Sequence, residues 1–451
     1  MAERMKESGN QWIGEIPESW SVEKIKYLIK QDKDGIRVGP FGSTLKEVVL
    51  EADKGDYKVY GQANLIQHDF SIGSNFISES DYRRLSAYEI NPGDVLLSMM
   101  GTIGKCSVVP NDIQKGIMDS HLIKMRLSNR MDARYLEYVY EHSGLVFEQL
   151  LINSNGTTMN GLNSSVVKAV VVPLPSMVEQ QAIADFLDKR CAQIDDVIAD
   201  LEKQKLLLEE YRLSSITETV TIGMSRDIKS KKSQYVYFDS IPENWDEKRI
   251  KYLIKGIKDG THGTFDRLYE GEMLLSAKNV FNTGLKISEQ ESMISEKDYK
   301  SIVSNGYPGK GDVLLSCVGT IGRTCVYELD KPLAFQRSTI FLRPIDKLNP
   351  YFLSYALQSK HVLEQESNLV NKSAQDGLYM GAVKEIVIPM PNDIEEQNKI
   401  VEYLNKKTRI IDNKIAGINK KLFIAKKYKK SLIYEYVTGK KRVKGASMYA
   451  N

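Results

Sequence analysis

Two long segments of the chain alternate apolar and polar residues with the period of an α-helix. The first begins just after the proline pair at Pro173 and Pro175 and runs to about Ile222. The second runs from Ile394 to about Val437. Neither segment contains a proline, which would interrupt a helix. Apolar residues recur every three or four positions at Ile183, Leu187, Ile194, Ile198, Leu201 and Leu208, and at Ile400, Leu404, Ile411, Ile415, Ile418 and Leu422. A helix of about 45 residues is about 68 Å long, so each is predicted to project as a rod whose apolar stripe needs a partner.

The sequence before each long segment has a different pattern. Short runs typical of β-strands lie at Val95–Ser98, Ser107–Val109, Ile123–Leu127 and Val170–Val172, separated by clusters of Gly, Pro, Asn and Asp. Helical spacing returns briefly at Tyr135–Leu151 and Tyr351–Gln365, which predicts two short helices. These stretches therefore predict β-rich α+β domains.

The whole pattern occurs twice. IPESWSVEKIKYLIK at 16–30 returns as IPENWDEKRIKYLIK at 241–255, GDVLLSMMGTIGKC at 93–106 as GDVLLSCVGTIGRT at 311–324, and VVPLPSMVEQ at 171–180 as VIPMPNDIEEQ at 387–397. The conserved order indicates a tandem duplication of a complete domain with its helix. The predicted organisation is a domain at 1–175, a spacer helix at 176–222, a linker at 223–236, a domain at 237–392, a spacer helix at 393–440 and a tail at 441–451.

The two long helices carry opposite charge. Acidic residues dominate 176–222, with a balance of about −5, and basic residues dominate 393–440, with a balance of about +6. Helices of opposite sign attract each other beside an apolar seam. The first helix leads away from the first domain and the second leads back, which predicts an antiparallel intramolecular coiled coil. The fold class is thus α+β, with two pseudo-symmetric domains joined by two long helices.

Composition narrows the function classes. The chain of 451 residues is 42% hydrophobic and 27% charged, with a formal net charge of +3, so any nucleic-acid site must rest on local charge. No apolar run approaches the roughly 18 residues of a membrane span, which predicts a cytoplasmic protein. The four cysteines lack C-x-x-C spacing and are predicted to be buried thiols, and with only five histidines no metal site is expected.

No catalytic motif is present. GTIGK, ending at Lys105, lacks the spacing of a phosphate loop, and the second copy has Arg323 at that position. Nucleophile-elbow, zincin and dinucleotide motifs are absent, as is the N-P-P-Y or D-P-P-Y motif of adenine methyltransferases. The chain is predicted not to be an enzyme, although scattered carboxylates could still assemble a site.

Glycine-rich and polar loops at matching places in the two copies are the candidate ligand-binding sites. They are DGIRVGPFGSTLK at 34–46 with DGTHGTFDR at 259–267, and NSNGTTMN at 153–160 with NKSAQ at 371–375. Their amide, hydroxyl and basic side chains match phosphates and base edges, but plain turns and surface loops use the same residues. The candidate DNA-contacting residues are Arg37, Gly39, Ser43, Thr44, Lys46, Lys105, Asn155, Thr157, Thr158, Asn160, Thr261, His262, Thr264, Arg267, Lys278, Arg323, Gln336, Arg337, Lys372 and Gln375.

The repeated GDVLLS and GTIG blocks are predicted to be core framework. The polar patch at 336–339 of the second copy has no close counterpart in the first, where Asp119, Ser120 and His121 occupy roughly the same place in the sequence. Identical framework with divergent patches suits two domains that share a fold and read different ligands.

The full set of motifs resembles the specificity subunit of Type I restriction-modification systems. The resemblance rests on W-x-x-x-x-[IL]-K-x-L (20–28 and 245–253), GDVLLS with GTIG, and PLPSMVEQQAIADFLDK (173–189) with PMPNDIEEQNKIVEYLNK (389–406). It implies two target recognition domains, each reading one half of a bipartite, asymmetric DNA site. It also implies helices that set the spacing and dock two modification subunits, which bind S-adenosylmethionine and methylate adenine. Restriction subunits complete the complex, and no cofactor is expected in this chain.

Two alternatives remain open on the residues alone. One is a protein scaffold whose helices bind partners while its globular domains bind no DNA. The other is a bifunctional enzyme with an unrecognised site. A steep dependence of DNA affinity on salt separates the first alternative from DNA recognition, because phosphate neutralisation releases counterions.

Overall fold

The computed structural model describes residues 4–40, 51–52, 55–154, 162–224, 229–369 and 377–443. The chain forms two compact units. The first comprises Met1–Leu201 with Lys421–Asn451, and the second comprises Glu202–Lys420. Each unit therefore contains one globular domain, the beginning of one long helix and the end of the other. Every helix in the described ranges is too short or too polar to cross a membrane.

The domain of the first unit contains mostly short strands. Its strands are β1 (Met5–Glu7), β2 (Glu15–Pro17), β3 (Ser21–Lys24), β4 (Ile36–Val38), β5 (Glu51–Ala52), β6 (Tyr57–Tyr60), β7 (Asn75–Ile77), β8 (Val95–Ser98), β9 (Cys106–Val108), β10 (Gly116–Met118), β11 (Leu122–Met125) and β12 (Val171–Leu174). Its helices are α1 (Gln62–Ile66), α2 (Glu79–Arg84), α3 (Ala133–Glu137), α4 (Phe147–Ser154) and α5 (Ser164–Ala169), followed by the long α6 (Met177–Ile222).

Two four-stranded sheets organise this domain. The central sheet is antiparallel in the order β4, β11, β8, β9, and the second has the order β10, β6, β7, β5. In β8 the side chains of Val95 and Leu97 enter the main core, whereas Leu96 packs with Tyr60 of the second sheet. Every residue of β8 is buried, which confirms the prediction that GDVLLS is core framework.

The domain of the second unit repeats this arrangement. Its strands are β13 (Ser230–Lys232), β14 (Ser240–Pro242), β15 (Trp245–Arg249), β16 (Ile254–Asp259), β17 (Glu272–Leu275), β18 (Val280–Phe281), β19 (Gly284–Leu285), β20 (Met293–Ile294), β21 (Val313–Ser316), β22 (Thr324–Val326), β23 (Ala334–Phe335), β24 (Thr339–Pro344) and β25 (Val387–Pro391). Its helices are α7 (Glu296–Ser304), α8 (Pro350–Leu357), α9 (Lys360–Leu369) and α10 (Met380–Glu385), followed by the long α11 (Ile394–Val437). The central sheet has the order β16, β24, β21, β22, matching the first unit strand for strand. β13, which pairs with β14, lies inside the predicted linker.

The short helices differ from the prediction. Single helices at Tyr135–Leu151 and Tyr351–Gln365 were wrong, because each region contains a break. In the first unit α3 continues as a π-helical turn at Tyr138–His142, and the chain then leaves helical geometry at Gly144, whose φ is 82°. In the second unit α8 and α9 are separate, and the first amide of α9 donates a 2.9 Å hydrogen bond to the Thr217 hydroxyl of α6. Apolar spacing continues across both breaks, so periodicity alone does not reveal them.

In the first unit, the beginning of α6 packs against the end of α11. The rings of Phe186 and Tyr436 lie 4.4 Å apart, and further along α6 Asp195 forms a 2.6 Å salt bridge with Lys429. Rising numbers on α6 meet falling numbers on α11, so the segments run antiparallel. The end of α11 is part of the domain core through Leu432, Ile433 and Val437.

In the second unit, the end of α6 packs against the beginning of α11. Arg212 of α6 forms a 3.0 Å salt bridge with Asp412 of α11, and Ile216 and Val220 of α6 belong to the domain core. The predicted fold class, two α+β domains with paired antiparallel long helices, is confirmed. All four cysteines are buried, as predicted.

Candidate nucleic-acid interface

Four segments of the first unit meet at one end of its central sheet. The amide of Gly39 donates to the carbonyl of Leu122 at 2.8 Å, that of Met99 to His121 at 2.9 Å, and that of Leu162 to Met99 at 2.8 Å. These bonds join residues 37–39, 98–105, 119–121 and 162, which we call the first loop edge.

The second unit repeats the same bonds. The amide of Gly260 donates to Thr339 at 3.0 Å, that of Cys317 to Ser338 at 2.9 Å, and that of Leu378 to Cys317 at 2.9 Å. They join residues 259–264, 316–323, 336–338 and 377–378, the second loop edge. The two loop edges thus share one backbone frame, which is what the duplication requires.

The glycines in this frame are explained by packing. A Cβ on Gly39 would lie 1.9 Å from the carbonyl oxygen of Asp119, and a Cβ on Gly260 would lie 2.3 Å from that of Gln336. Both distances are far inside van der Waals contact. Glycine therefore lets each loop cross closely over its own domain, a role that the sequence pattern does not distinguish from close approach to a ligand.

The side chains on the shared frame differ. The first loop edge carries Asp119, Ser120 and His121, and the His121 ring lies 3.1 Å from the Asp119 carboxylate through Nδ1. The second carries Gln336, Arg337 and Ser338 at the matching positions, with the Arg337 side chain exposed. The two edges consequently present different sets of hydrogen-bond donors and acceptors.

Comparison with known proteins identifies this arrangement. The family model described as "Type I restriction modification DNA specificity domain" matches residues 40–208 and 242–443, one range for each copy. The chain belongs to that family. It is therefore a DNA-recognition subunit of a Type I restriction-modification system and not a catalytic one, and it acts with DNA and with other subunits of such a complex.

Individual relatives agree with this family. The Type I restriction enzyme MjaVIII specificity subunit of Methanocaldococcus jannaschii is 26% identical over 447 residues, covering 95% of this chain and 94% of the relative. The EcoBI specificity subunit of Escherichia coli is 23% identical over 350 residues, covering 74% and 72%. A chain in the solved structure "Structural basis underlying complex assembly and conformational transition of the type I R-M system" has a TM-score of 0.63 at 16% identity, covering 94% of this chain and 98% of its own. That likeness supports the fold.

Of the remaining described candidates of this specificity chain, Arg37 and Lys105 lie in the first loop edge, and the others lie in and around the second. His262 holds its Nε2 atom 2.6 Å from the Asp259 carboxylate, and the Thr261 carbonyl accepts a 2.9 Å bond from the Arg337 amide. Thr264 and Arg267 are exposed. The loop at 259–267 is therefore tied to the frame at its start, while its later side chains face solvent.

Arg37 lies on β4, two residues before Gly39 of the first loop edge. Its guanidinium lies 3.5 Å from the Asp34 carboxylate and 5.9 Å from the centre of the Tyr88 ring. These contacts orient the side chain from two sides. Because its neighbours are partly exposed, the guanidinium can exchange Asp34 for a phosphate or a base edge.

Three of the basic side chains predicted to contact DNA already interact with other side chains of this protein. Lys105 binds Glu141 at 2.6 Å and Lys278 binds Glu291 at 2.8 Å. Burial favours the neutral form of Glu141, but hydrogen bonds from His68, Lys105 and a backbone amide hold its pKa at about 2. Arg323 stands over the Phe281 ring at 5.0 Å. Any DNA contact by these side chains requires breaking an existing interaction.

Glu291 shows the same balance. Burial would raise its pKa, but Lys278 and the Ser288 and Asn279 hydrogen bonds lower it to about 2. The Glu291 carboxylate is therefore ionised beside Lys278 near neutral pH. The local sequence does not indicate that Lys278 pairs with Glu291, because only the β18–β19 hairpin between them brings the two residues together.

Several candidates fall outside the described residues. They are Ser43, Thr44, Lys46, Asn155, Thr157, Thr158, Asn160, Lys372 and Gln375. Gly39, Leu162 and Leu378, which lie near these segments in the sequence, are on the loop edges.

Sequence reasoning missed Gln62. Its amide nitrogen donates to the Ser98 hydroxyl at 2.8 Å and to the Met100 carbonyl at 2.5 Å, which places it on the first loop edge. It comes from α1, between strands of the second sheet, where no repeated motif points to it. Only the packing of that sheet against the central one brings it there.

Proposed function

We propose that the two loop edges read the two halves of a bipartite, asymmetric DNA site. The observation that carries this proposal is the shared frame with different side chains, Asp119, Ser120 and His121 on one edge and Gln336, Arg337 and Ser338 on the other. A common frame presents a common approach to DNA, and the side chains set the preferred bases. Arginine pairs best with guanine edges and glutamine with adenine edges, so Gln336 and Arg337 are the strongest base-reading candidates of the second edge.

We further propose that each unit docks one modification subunit on its part of the long helices. In the first unit Val197, Phe423, Ile424 and Tyr428 are more than half exposed, and in the second Leu206, Leu207, Tyr211 and Ile410 are. Exposed apolar side chains on paired helices are typical of a protein interface. Two such surfaces fit two copies of one partner. On this proposal S-adenosylmethionine is bound by those partners and no cofactor by this chain, while restriction subunits join the complex through them.

A salt titration tests the DNA-binding part directly. The chain is prepared with its modification subunits. It is mixed with duplex DNA that contains either the sequence that the complex methylates or a scrambled version of that sequence. We expect the affinity to fall steeply between low and moderate salt, and Arg337→Ala to reduce the preference for the specific duplex by about tenfold or more, as loss of a bidentate base contact does.

The matched control is Arg249→Ala. Arg249 is also a surface arginine of the second domain, but it lies on β15 in a salt bridge with Glu385, away from the loop edge. Affinity that does not depend on salt would support the scaffold alternative. Equal effects of the two arginine variants would contradict base reading by the loop edge.

A further inference from the structure

A cluster of metal-ligating side chains lies in the first unit behind the loop edge. The ligand atoms of His68, Glu141 and His142 all lie within 4.8 Å of one another. His68 directs Nε2 at Glu141, 3.5 Å from Oε1, and its other ring nitrogen lies 3.1 Å from Oε1 of Glu137. Two imidazoles and a carboxylate are a common ligand set for zinc sites that keep an open position.

The backbone around these residues is unusual at two points. His68 is the one non-glycine residue with positive φ, 51°, in the described part of the chain. Glu141 and His142 lie on the π-helical turn at Tyr138–His142. Both left-handed residues and π-helical turns concentrate at functional sites, because the surrounding structure must hold them in place.

The duplication shows that the π-helical turn is an insertion. The segment begins at the same anchor in both units, since the Asp132 amide donates to Gln180 at 2.8 Å and the Asn349 amide to Gln397 at 2.8 Å. When the two copies are aligned, this segment ends at matching serines, Ser143 and Ser359. The first unit has one residue more between these points, and a π-turn absorbs one extra residue.

The second unit provides an internal comparison. Its equivalent helix, α8, is α-helical throughout and contains neither histidine nor carboxylate. The inserted residue and the ligating side chains therefore occur together, in one copy. A fold requirement common to both domains does not explain them.

We propose that His68, Glu141 and His142 bind a divalent transition-metal ion of the Zn²⁺ class. His68 would coordinate through Nε2 while Nδ1 donates to Glu137, the carboxylate–histidine–metal arrangement that fixes the ring. Imidazole donors favour zinc, cobalt or nickel over magnesium or calcium. Ligands about 2.0–2.1 Å from a tetrahedral ion lie about 3.3 Å from one another, so small side-chain rotations close the site.

Lys105 is the competing cation. Its ammonium lies 2.6 Å from Oε1 of Glu141, but the side chain is 42% exposed and can turn into solvent. The metal ion thus replaces Lys105 at Glu141. Once bound, it links the segment after α1 to the π-helical turn and frees Lys105 of the first loop edge.

Metal titration of the full-length chain in its partner-bound complex tests the site. After chelator treatment, Zn²⁺ binding is measured by calorimetry and Co²⁺ binding by visible absorption. We expect one ion per chain, loss of that ion in His68→Gln and His142→Gln, and binding about 10–100-fold weaker in Glu137→Gln. His361→Gln, which alters a histidine of the second unit, is the matched control and should bind normally.

A second variant keeps the test independent of folding defects. Lys105→Ala removes the competing cation and should bind Co²⁺ more tightly than the wild-type chain, which a damaged fold would not do. The proposal is overturned if the wild-type chain takes up no ion, or if His68→Gln and His142→Gln bind like His361→Gln. It is also overturned by a thiolate charge-transfer band with Co²⁺, since Cys106 is fully buried nearby and would then be a ligand.

Discussion

The indole nitrogen of Trp20 donates a 2.9 Å hydrogen bond to the carboxylate of Glu179, and this bond holds the first turns of α6 to the domain that precedes it. Trp245 and Glu396 repeat the contact at 2.9 Å at the start of α11. In the first unit Arg442 also pairs with Glu179. In each unit, the tryptophan of the motif I-P-E-x-W and the glutamate just before Gln180 or Gln397 thus form one anchor.

This anchor predicts unequal effects of the same substitution. Trp20→Phe leaves the fully buried Glu179 without its indole partner, and we expect a loss of about 1–3 kcal/mol in the free energy of unfolding. Trp245→Phe affects the more exposed Glu396 and should cost less. Denaturant unfolding monitored for each variant measures the difference; a larger loss for Trp245→Phe would contradict this account of the anchors.

The loop-edge glycines predict strong steric effects. Gly39→Ala would place a methyl group 1.9 Å from the Asp119 carbonyl oxygen, so we expect a loss of about 1–3 kcal/mol through overpacking. Gly417→Ala is the control with the opposite sign. Gly417 lies exposed inside α11 with open space around it, and alanine there should stabilise by about 0.5–1 kcal/mol. Thermal unfolding of both variants distinguishes steric packing from a general intolerance of substitution.

Glu366 predicts a pH dependence of the second unit. Burial raises the pKa of its carboxyl to about 8, and its Oε1 atom has no hydrogen-bond partner among the described residues. The folded chain holds a proton that the unfolded chain releases above about pH 4.5. Its stabilising contribution is therefore complete below that pH and is lost as the pH rises through about 8.

The variant Glu366→Gln, which resembles the protonated carboxyl, should remove this slope. Glu364→Gln, on the exposed side of the same helix, should keep it. Unfolding free energies measured from about pH 4 to about pH 9 bracket that window and test the effect. A Glu366→Gln chain whose stability changes with pH as steeply as that of the wild-type chain would show that Glu366 is not protonated when folded.

The exposed apolar residues of the long helices predict where partners bind. Phe423→Glu should weaken copurification of modification subunits without lowering the melting temperature of the chain, because its side chain is 68% exposed. Val236→Glu, at an exposed site outside the helices, should leave the complex intact. Stoichiometry by native mass spectrometry reports both, and retention of two partner subunits by Phe423→Glu would contradict docking on that surface.

The sequence supports the architecture more fully than the site. The duplication, the long helices and their antiparallel pairing follow from periodicity and charge, since both are repeated over many residues. Asp195 with Lys429 is the predicted pairing of an acidic α6 with a basic α11, whereas Arg212 with Asp412 reverses it locally.

The loop edges were predictable only in part. The identical GDVLLS framework and the divergent residues after β10 and β23 pointed to them. The contacts of Lys105 with Glu141 and of Gln62 with Ser98 did not, because they join segments 36 residues apart that no motif relates. The extra residue of the π-helical turn is visible in the sequence only after the two copies are aligned on structural anchors.

Genome-wide mapping of methylated adenines tests the central claim most directly. Cells carrying the modification subunits receive the wild-type chain, a variant altered at Ser120 and His121, or a variant altered at Gln336 and Arg337. We expect a bipartite site in which the first variant changes one half, the second variant changes the other, and the gap between the halves stays constant. A change in both halves from either variant, or an unchanged site in both, would contradict two independent reading edges.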